Sequence, residues 1–308
     1  MASSTTSRPV TISDVARAVG LSKTTVSTAL TGNGRLSEET REMVRREAEK
    51  LGYQADFFAQ GLRKKHNDLI GFFSPDIDLG VSTLKMHTIW RLLDERGYTV
   101  PVLAYGNRAN GQYIEQEKLL ADLRRQKPRA MLCNTSNLQS ESAQEELRRY
   151  LQEGGLAVCY DWPTEVEVDT VLFDRQHNTY TATRHLLGAG HQKIGACFPW
   201  HRYSGATRAA GFRQAMEEAG VEIREEWIFN VDYQMQPELE AVALAEQFLK
   251  LRERPTAMCV VNDHLANTFA TCLARAGVRV PSDLSLVSHD NLPIAEHGTV
   301  RLTSVSHP

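Results

Sequence analysis

The 308-residue sequence lacks several features that would place it in a specialised class of protein. It contains no apolar run approaching the roughly 18 residues that a membrane-spanning helix needs. The polar first nine residues contain no apolar segment of the kind found in secretory signals. The five cysteines are scattered without a CxxC pair, which argues against a disulfide framework or a zinc site. These absences predict a cytoplasmic protein whose cysteines serve as small buried apolar side chains.

The sequence also lacks the short motifs of the common enzyme classes. There is no GxSxG, HExxH, P-loop or strand-following GxGxxG. Four dispersed histidines do not have the spacing of metal ligands, namely His177, His185, His191 and His201. The segment "DRQHN" at 174–178 could hold an acid/base pair, but polar residues that open a helix explain it better. We therefore expect no catalytic residue, no metal and no cofactor.

What the sequence does contain is an uneven distribution of charge. Residues 1–65 carry 11 Lys/Arg and 7 Asp/Glu, a net charge of +4, whereas the remainder carries 24 and 31, a net charge of −7. A basic head on an acidic body suggests that the head meets a polyanion. The length is enough for about two domains of roughly 150 residues each.

The basic head shows a helix–turn–helix pattern. Apolar residues spaced i, i+3, i+4 and i+7 predict a first helix, and they are Ile12, Val15, Ala16 and Val19. Gly20 supplies a tight turn, Ser22 caps a second helix, and Ser37 caps a third helix that carries Met43, Val44, Ala48 and Leu51 and ends at Gly52. In the second helix Val26, Ala29 and Leu30 form the inward stripe.

The second helix is unusually rich in hydroxyl groups. Six of the thirteen residues from 20 to 32 are Ser or Thr, which are mediocre helix formers. Short hydroxyl side chains let a helix approach the DNA major groove closely and bond to bases or phosphates. The pattern therefore favours a DNA-reading helix over the alternative, a helical bundle with a polar surface.

The stretch "VTISDVARAVGLSKTTVSTALTGNGRLSEETREMVRREAEKLGY" resembles the DNA-binding head of LacI/GalR-family transcription regulators, and looser motifs continue the resemblance along the chain. The resemblance implies a homodimeric repressor that binds a pseudo-palindromic double-stranded DNA operator. Its base-reading positions fall on Lys23, Thr24 and Thr28. Its phosphate-contacting positions fall on Thr11, Ser22, Thr25, Ser27, Asn33 and Tyr53.

Residues 55–66 match the family's hinge segment, which becomes a short helix when dimer and DNA meet. Leu62 occupies the position of a Leu that wedges into the minor groove, and Ala59 precedes it on the same face. Arg63 is placed to neutralise a phosphate. Gly61 stands where the family has a Ser-like residue, and it weakens a helix by roughly 1 kcal/mol relative to Ala. The alternative for this segment is a plain flexible linker.

From residue 67 onward, short apolar runs alternate with helical patterns. Strands are predicted at 69–74, 99–105, 129–134, 156–161, 169–174, 193–198, 257–261 and 284–288, and helices at 82–96, 112–126, 141–153, 176–189, 205–219, 237–250 and 264–276. Such alternation indicates doubly wound α/β lobes with parallel sheets. The resemblance specifies two periplasmic-binding-protein-like lobes with an effector between them. The final "VRLTSVSHP" resembles the crossover back toward the first lobe, and the segments that usually follow it are missing.

Five residues match positions where the family contacts its effector: Asp76, Arg208, Tyr233, Asn262 and Asp290. Arg, Asn and Asp side chains with one aromatic ring suit a sugar or sugar derivative, and they suit a nucleobase equally well. Ser288 and His289 replace a usual Gly-aromatic pair beside Asp290.

These expectations divide the chain into a flexible N-terminus (1–9), a helix-turn-helix domain (10–54), a hinge segment (55–66) and an effector-binding and dimerisation domain (67–308). The predicted function is an effector-controlled repressor that makes no contact with membranes. The competing interpretations are an enzyme and a solute-binding protein without a transcriptional role.

Overall fold

The computed structural model describes residues 10–31, 35–53, 69–75, 81–100, 102–105, 116–135, 138, 140–199, 202–231 and 237–306. The head contains helices α1 (Ile12–Val19), α2 (Lys23–Thr31) and α3 (Glu38–Lys50). All three pack against one another around a small apolar core, formed by Val15, Ala16, Val26, Ala29, Val44 and Ala48. The three helices and the Ser22 and Ser37 caps agree with the prediction, and α3 ends at Lys50, two residues before the predicted Gly52.

The turn between α1 and α2 depends on Gly20. This residue has a φ of 67°, in the left-handed region that glycine adopts without strain, and its N–H donates to the carbonyl of Ala16. One detail of the predicted α3 stripe differs, because Met43 is 46% exposed while Val44 is buried. Adjacent helical residues point about 100° apart, so only one of the two can face the core.

The first lobe, lobe one, is a five-stranded parallel sheet in the order β2-β1-β3-β4-β5. Its strands are β1 (Ile70–Pro75), β2 (Val102–Tyr105), β3 (Ala130–Asn134), β4 (Leu156–Asp161) and β5 (Asp169–Leu172). Its described helices are α4 (Val81–Asp94), α5 (Gln116–Arg125) and α6 (Glu141–Gln152). The core of lobe one contains Phe73, Leu123 and Met131 with the buried Cys133 and Cys159.

The second lobe, lobe two, is a parallel sheet in the order β7-β6-β8-β9-β10. Its strands are β6 (Ile194–Pro199), β7 (Ile228–Val231), β8 (Ala257–Val260), β9 (Ser285–Asp290) and β10 (Thr303–Ser306). Its helices are α7 (Arg175–Gly188), α8 (Arg202–Glu218), α9 (Pro237–Lys250), α10 (Asp263–Arg275) and α11 (Pro293–His297). When strands are ranked along the chain within each lobe, both lobes have the order 2-1-3-4-5.

All eight predicted strands are present, and the doubly wound α/β class is confirmed. Two further strands, β7 and β10, were not predicted. The segment predicted as a crossover therefore begins as the edge strand of the lobe-two sheet, paired with β9. Packing explains Gly211, which lies three residues after Arg208 in α8. A Cβ at this position would overlap the backbone carbonyl of Gln176 where α8 crosses α7.

Four of the five cysteines are buried and Cys272 is half-buried, as predicted. Burial raises the pKa of the Cys197 and Cys259 thiols, the latter to about 12. Within the described ranges no group of side chains is arranged to hold a metal ion, and no helix is long and apolar enough to cross a membrane.

Candidate nucleic-acid interface and interlobe site

Helix α2 presents a polar, acid-free surface at its N-terminal end. Ser22, Lys23 and Thr24 are exposed, whereas Val26 and Ala29 are buried in the head core. The first turn of α2 contains no acidic residue, although α1 begins with Asp14 and α3 with two glutamates. An exposed helix N-terminus carries a partial positive charge, and the missing carboxylates leave that charge available to a phosphate. The arrangement suits docking in a DNA groove.

Two hydroxyl groups at helix starts in the head, those of Ser22 and Thr11, make different hydrogen bonds. Ser22 is a true cap, because its Oγ accepts from the N–H of Thr25 at 3.1 Å and lies 2.8 Å from the Thr25 hydroxyl. The Thr11 hydroxyl donates to the Asp14 carboxylate at 2.6 Å, and the Thr11 N–H donates to the same oxygen at 2.9 Å. The hydroxyl proton of Thr11 is therefore used within the protein, so this residue is a weaker candidate for a phosphate contact than Ser22 or Thr24.

The structure places the remaining candidates unevenly. Ser27 and Thr28 are half-buried on α2, and Tyr53 packs against the head core. Six predicted site residues lie outside the described residues, and for these the predictions stand as made: Asn33, Ala59, Leu62, Arg63, Asp76 and Tyr233.

The carboxyl end of β4 in lobe one contacts the first residues of two helices of lobe two. Trp162, which follows β4, has its ring 6.0 Å from that of Tyr203 in α8. Arg175, the first residue of α7, donates from one nitrogen to the Asp161 backbone carbonyl at 2.8 Å and from the other to the Asp161 carboxylate. In parallel α/β sheets the carboxyl edge is where ligands bind, and a cleft between lobes is a common ligand site.

Asp161 and Asp290 occupy equivalent places in the two lobes. Asp161 ends β4 and Asp290 ends β9, which are the fourth strands of their respective sheets. Both residues have a positive φ, 90° and 97°, a conformation that L residues with a side chain rarely adopt. Strained backbone of this kind concentrates at functional sites. The shared strain marks both carboxylates as candidate site residues, and only Asp290 was predicted from the sequence.

A second cationic group approaches Asp161. Lys85 in α4 places its Nζ 3.7 Å from the Asp161 carboxylate and 4.2 Å from the centre of the Phe173 ring. Burial lowers the pKa of the Lys85 ammonium, and Arg175 lowers it further, while the carboxylates of Asp161 and Asp290 act in the opposite direction. The junction therefore brings acidic and basic groups of both lobes within electrostatic range of one another.

In lobe two a buried carboxylate ties the strand ends together. Asp263 accepts from the Ser288 hydroxyl at 2.5 Å, from the Ser304 hydroxyl at 2.6 Å and from the Leu292 N–H at 2.7 Å. Burial raises the pKa of the Asp263 carboxyl, and these three donors oppose that effect. Ser288 thus has a structural task that the glycine usual in the family could not perform.

The two other described candidates lie on two helices of lobe two. Asn262 caps α10, because its Oδ1 accepts from the Leu265 N–H at 2.8 Å, while its amide Nδ2 makes no hydrogen bond to the described residues. Arg208 is buried in α8, with its guanidinium 2.5 Å from the Ser204 hydroxyl. The alternative acid/base pair at 174–178 is not supported, because Asp174 caps α7 through the N–H of His177 at 2.8 Å.

Lys85, Asp161 and Phe173 were not predicted as site residues. A usable signal was present, because "VCYDW" at the end of the fourth strand of lobe one parallels "VSHDN" at the end of the fourth strand of lobe two. Lys85 had no comparable signal, since one lysine on an amphipathic helix is normally a solvated side chain.

Comparison with known proteins finds a family match for the head and another for the C-terminal part of the chain. The family model described as "Bacterial regulatory proteins, lacI family" matches residues 11–56. The model described as "Periplasmic binding protein-like domain" matches residues 183–308. The HTH-type transcriptional repressor PurR of Vibrio vulnificus is 30% identical over 312 residues, which cover 97% of this chain and 87% of that protein.

Solved structures show the same fold. The lac repressor dimer bound to operator and the anti-inducer ONPF superposes with a TM-score of 0.80 at 22% identity, covering 97% of this chain and 88% of that one. The complex of the transcriptional regulator CelR with cellobiose superposes with a TM-score of 0.66 at 24% identity, covering 98% and 88%.

Proposed function

Because the chain belongs to the lacI family of bacterial regulatory proteins, we propose that α2 reads its operator and that the junction between the lobes holds its effector. The chain is a DNA-binding transcription repressor rather than an enzyme, and a small molecule controls its affinity for operator DNA. The observation that carries our assignment of the reading surface is the exposed, acid-free N-terminal end of α2. We also propose a cytoplasmic location, because a DNA-binding regulator has to reach its operator.

Within the head we propose that Lys23, Thr24 and Thr28 contact bases. The other head residues of the proposal contact phosphates: Thr11, Ser22, Thr25, Ser27, Asn33 and Tyr53. We further propose that 55–66 forms a hinge in which Ala59, Leu62 and Arg63 meet the minor groove. The same proposal includes the domain boundaries after residues 9, 54 and 66.

The reading surface can be tested by selecting operator sequences from random DNA. Thr24→Ala and Thr28→Ala should change the preferred bases and weaken binding to the original site by roughly 1–3 kcal/mol per lost base contact. Thr40→Ala on α3 is the matched control, since it removes a threonine from the same head away from α2. An unchanged preference in both α2 variants would remove these residues from the reading surface.

For the effector we propose a polyhydroxylated small molecule bound by Arg208, Asn262 and Asp290, with Asp76 and Tyr233 as further contacts. Support comes from a buried guanidinium, an amide Nδ2 that makes no hydrogen bond to the described residues and a carboxylate near the lobe junction, a set that suits hydroxyl groups. The similarity to a regulator solved with cellobiose points the same way.

Arg208→Ala tests this site separately from the head. The variant should keep operator affinity, because the head is untouched, and lose its response to any ligand that shifts the wild-type protein on operator DNA. Retained response with full ligand affinity would remove Arg208 from the site. Arg213→Ala is the control, because Arg213 lies on the same helix but pairs at the surface with Glu225 at 2.8 Å.

Exposed large apolar side chains on two helices support the homodimer. In lobe one α4 has no buried residue and exposes Leu84, Trp90 and Leu92. In lobe two α9 exposes Leu239 and Val242. We propose that some of these side chains pack against a second copy, because an oligomer interface buries apolar side chains that a single subunit exposes. Trp90→Glu should shift the molar mass measured by light scattering toward the monomer.

A further inference from the structure

Lys85 is a lysine in an unusual place. Its side chain is only 18% exposed, although lysine is seldom buried without a partner. Its ammonium lies over the Phe173 ring, 4.2 Å from the ring centre, which is favourable for a cation but supplies no hydrogen-bond acceptor. Its ion pair with Asp161 is long, because the ammonium nitrogen lies 3.7 Å from the carboxylate oxygen. The described residues therefore hold the Lys85 ammonium only loosely.

The nearby carboxylate is already engaged by a stronger partner. Arg175 holds Asp161 through both of its terminal nitrogens, one on the carboxylate and one on the backbone carbonyl at 2.8 Å. Arg175 itself is almost fully buried, so this ion pair cannot exchange readily for water. Moving the Lys85 ammonium closer to Asp161 would bring two cations onto one carboxylate. The arrangement keeps Lys85 oriented near Asp161 without satisfying it.

The charged groups within electrostatic range of Lys85 are two carboxylates and one other cation. Asp161 and Asp290 favour its charged form, and Arg175 disfavours it. Lys85 and Arg175 both contact Asp161, so two cations share one carboxylate. An incoming acidic group would give the Lys85 ammonium an anionic acceptor that it does not share with Arg175.

We propose that Lys85 selects an effector that carries an acidic group, a carboxylate or a phosphate, on its polyhydroxylated frame. This rests on the effector site proposed above and narrows its ligand from neutral sugars to sugar acids or sugar phosphates. A neutral sugar could offer hydroxyl oxygens to the ammonium, but it would displace water from a buried cation without balancing its charge. That cost makes the neutral compound the weaker ligand.

The test measures thermal stabilisation and calorimetric affinity of the full chain with matched pairs of probes. The pairs are glucose with glucuronate, galactose with galacturonate, and ribose with ribose 5-phosphate, and inorganic phosphate is run alone. Lys85→Met keeps the length of the side chain and removes its charge. Lys250→Met, an exposed lysine at the end of α9, is the matched control.

We expect an acidic member of at least one pair to bind at least tenfold more tightly than its neutral partner. Lys85→Met should weaken that acid by about 10- to 100-fold, the loss expected for a hydrogen bond to a charged group, and change the neutral compound by less than about threefold. Lys250→Met should change neither. Separate results for uronates and for ribose 5-phosphate distinguish a carboxylate from a phosphate.

Three results would overturn the proposal: equal binding of acid and neutral partner, undiminished binding of the acid to Lys85→Met, or no stabilisation by any acidic probe. Stabilisation by phosphate alone, to the same extent in both variants, counts as an adventitious ion and also overturns it. A neutral sugar whose binding depends on Arg208 would sink this inference while leaving the proposed effector site intact.

Discussion

The two lobes have the same strand order, yet each anchors the end of its fourth strand differently. In lobe one the Asp161 carboxylate forms an ion pair with the guanidinium of Arg175, and the Lys85 ammonium lies close by. In lobe two Asp290 ends β9, and Ser288 in the same strand donates to the buried Asp263. One fold thus places two carboxylates at the same junction in different electrostatic settings. We infer that lobe one contributes charge selection and lobe two contributes hydroxyl recognition.

The largest expected difference is in the cost of removing each carboxylate. Asp161→Ala should lower the free energy of unfolding by about 3–5 kcal/mol, because it leaves the buried Arg175 guanidinium without its anionic partner. Asp290→Ala should cost about 1 kcal/mol, an ordinary value for a half-buried residue. Urea unfolding of both full-length variants measures the difference. Equal costs would show that the Arg175–Asp161 pair does not distinguish the lobes.

A second difference concerns the residues that tie the third strand to the fourth. In lobe two this is Asp263, with three hydrogen bonds, and in lobe one it is Thr135, whose hydroxyl contacts the Tyr160 and Trp162 carbonyls at 2.9 Å and 2.5 Å. Asp263→Ala should lower the free energy of unfolding by about 2–3 kcal/mol, because it leaves three buried donors without an acceptor. Thr135→Ala should lower it by about 1–2 kcal/mol. The same unfolding measurement decides the order, and a costlier Thr135→Ala would reverse this part of the comparison.

The positive φ should behave alike in both lobes. At 161 and at 290 the glycine variant should be more stable than the alanine variant by about 1–2 kcal/mol, because glycine adopts this conformation without strain. The glycine-minus-alanine difference removes the contribution of the lost carboxylate, which is common to both substitutions. A difference near zero at either position would mean that the backbone there relaxes.

The smallest expected effect is a gain in stability. Lys85→Met should stabilise the ligand-free protein by up to about 1 kcal/mol, because it removes a cation whose burial is incompletely compensated. Since the folded-state pKa of Lys85 lies below its ordinary value of 10.5, the penalty is fully present below the folded pKa. It disappears as the pH rises toward 10.5, so the gain should shrink in alkali. Thermal melts of both proteins across that range measure it. A loss of stability at pH 7 would show that Lys85 is well paired.

Much of the fold followed from local patterns. The three head helices were predictable because their caps and apolar spacing lie within short windows, as in the Ser22 and Ser37 caps. The eight apolar strands were predictable because parallel strands buried on both faces consist of continuous apolar runs. The edge strands β7 (IFNV) and β10 (TSVS) were not, since polar residues interrupt both segments. Met43 was misplaced because its neighbour Val44 fits the same stripe.

By itself the sequence determined the family, the helix-turn-helix head, and the alternation of strands and helices. It also proposed Arg208, Asn262 and Asp290 as effector contacts, which stay predictions. The tertiary structure alone decided the setting of Lys85. Its partners Asp161 and Phe173 lie 76 and 88 positions further along the chain, and no local pattern connects them. They meet because the parallel sheet of lobe one brings the ends of β4 and β5 to the same edge as the start of α4. An ammonium that would be solvated on an isolated helix is there enclosed by a ring and an engaged carboxylate.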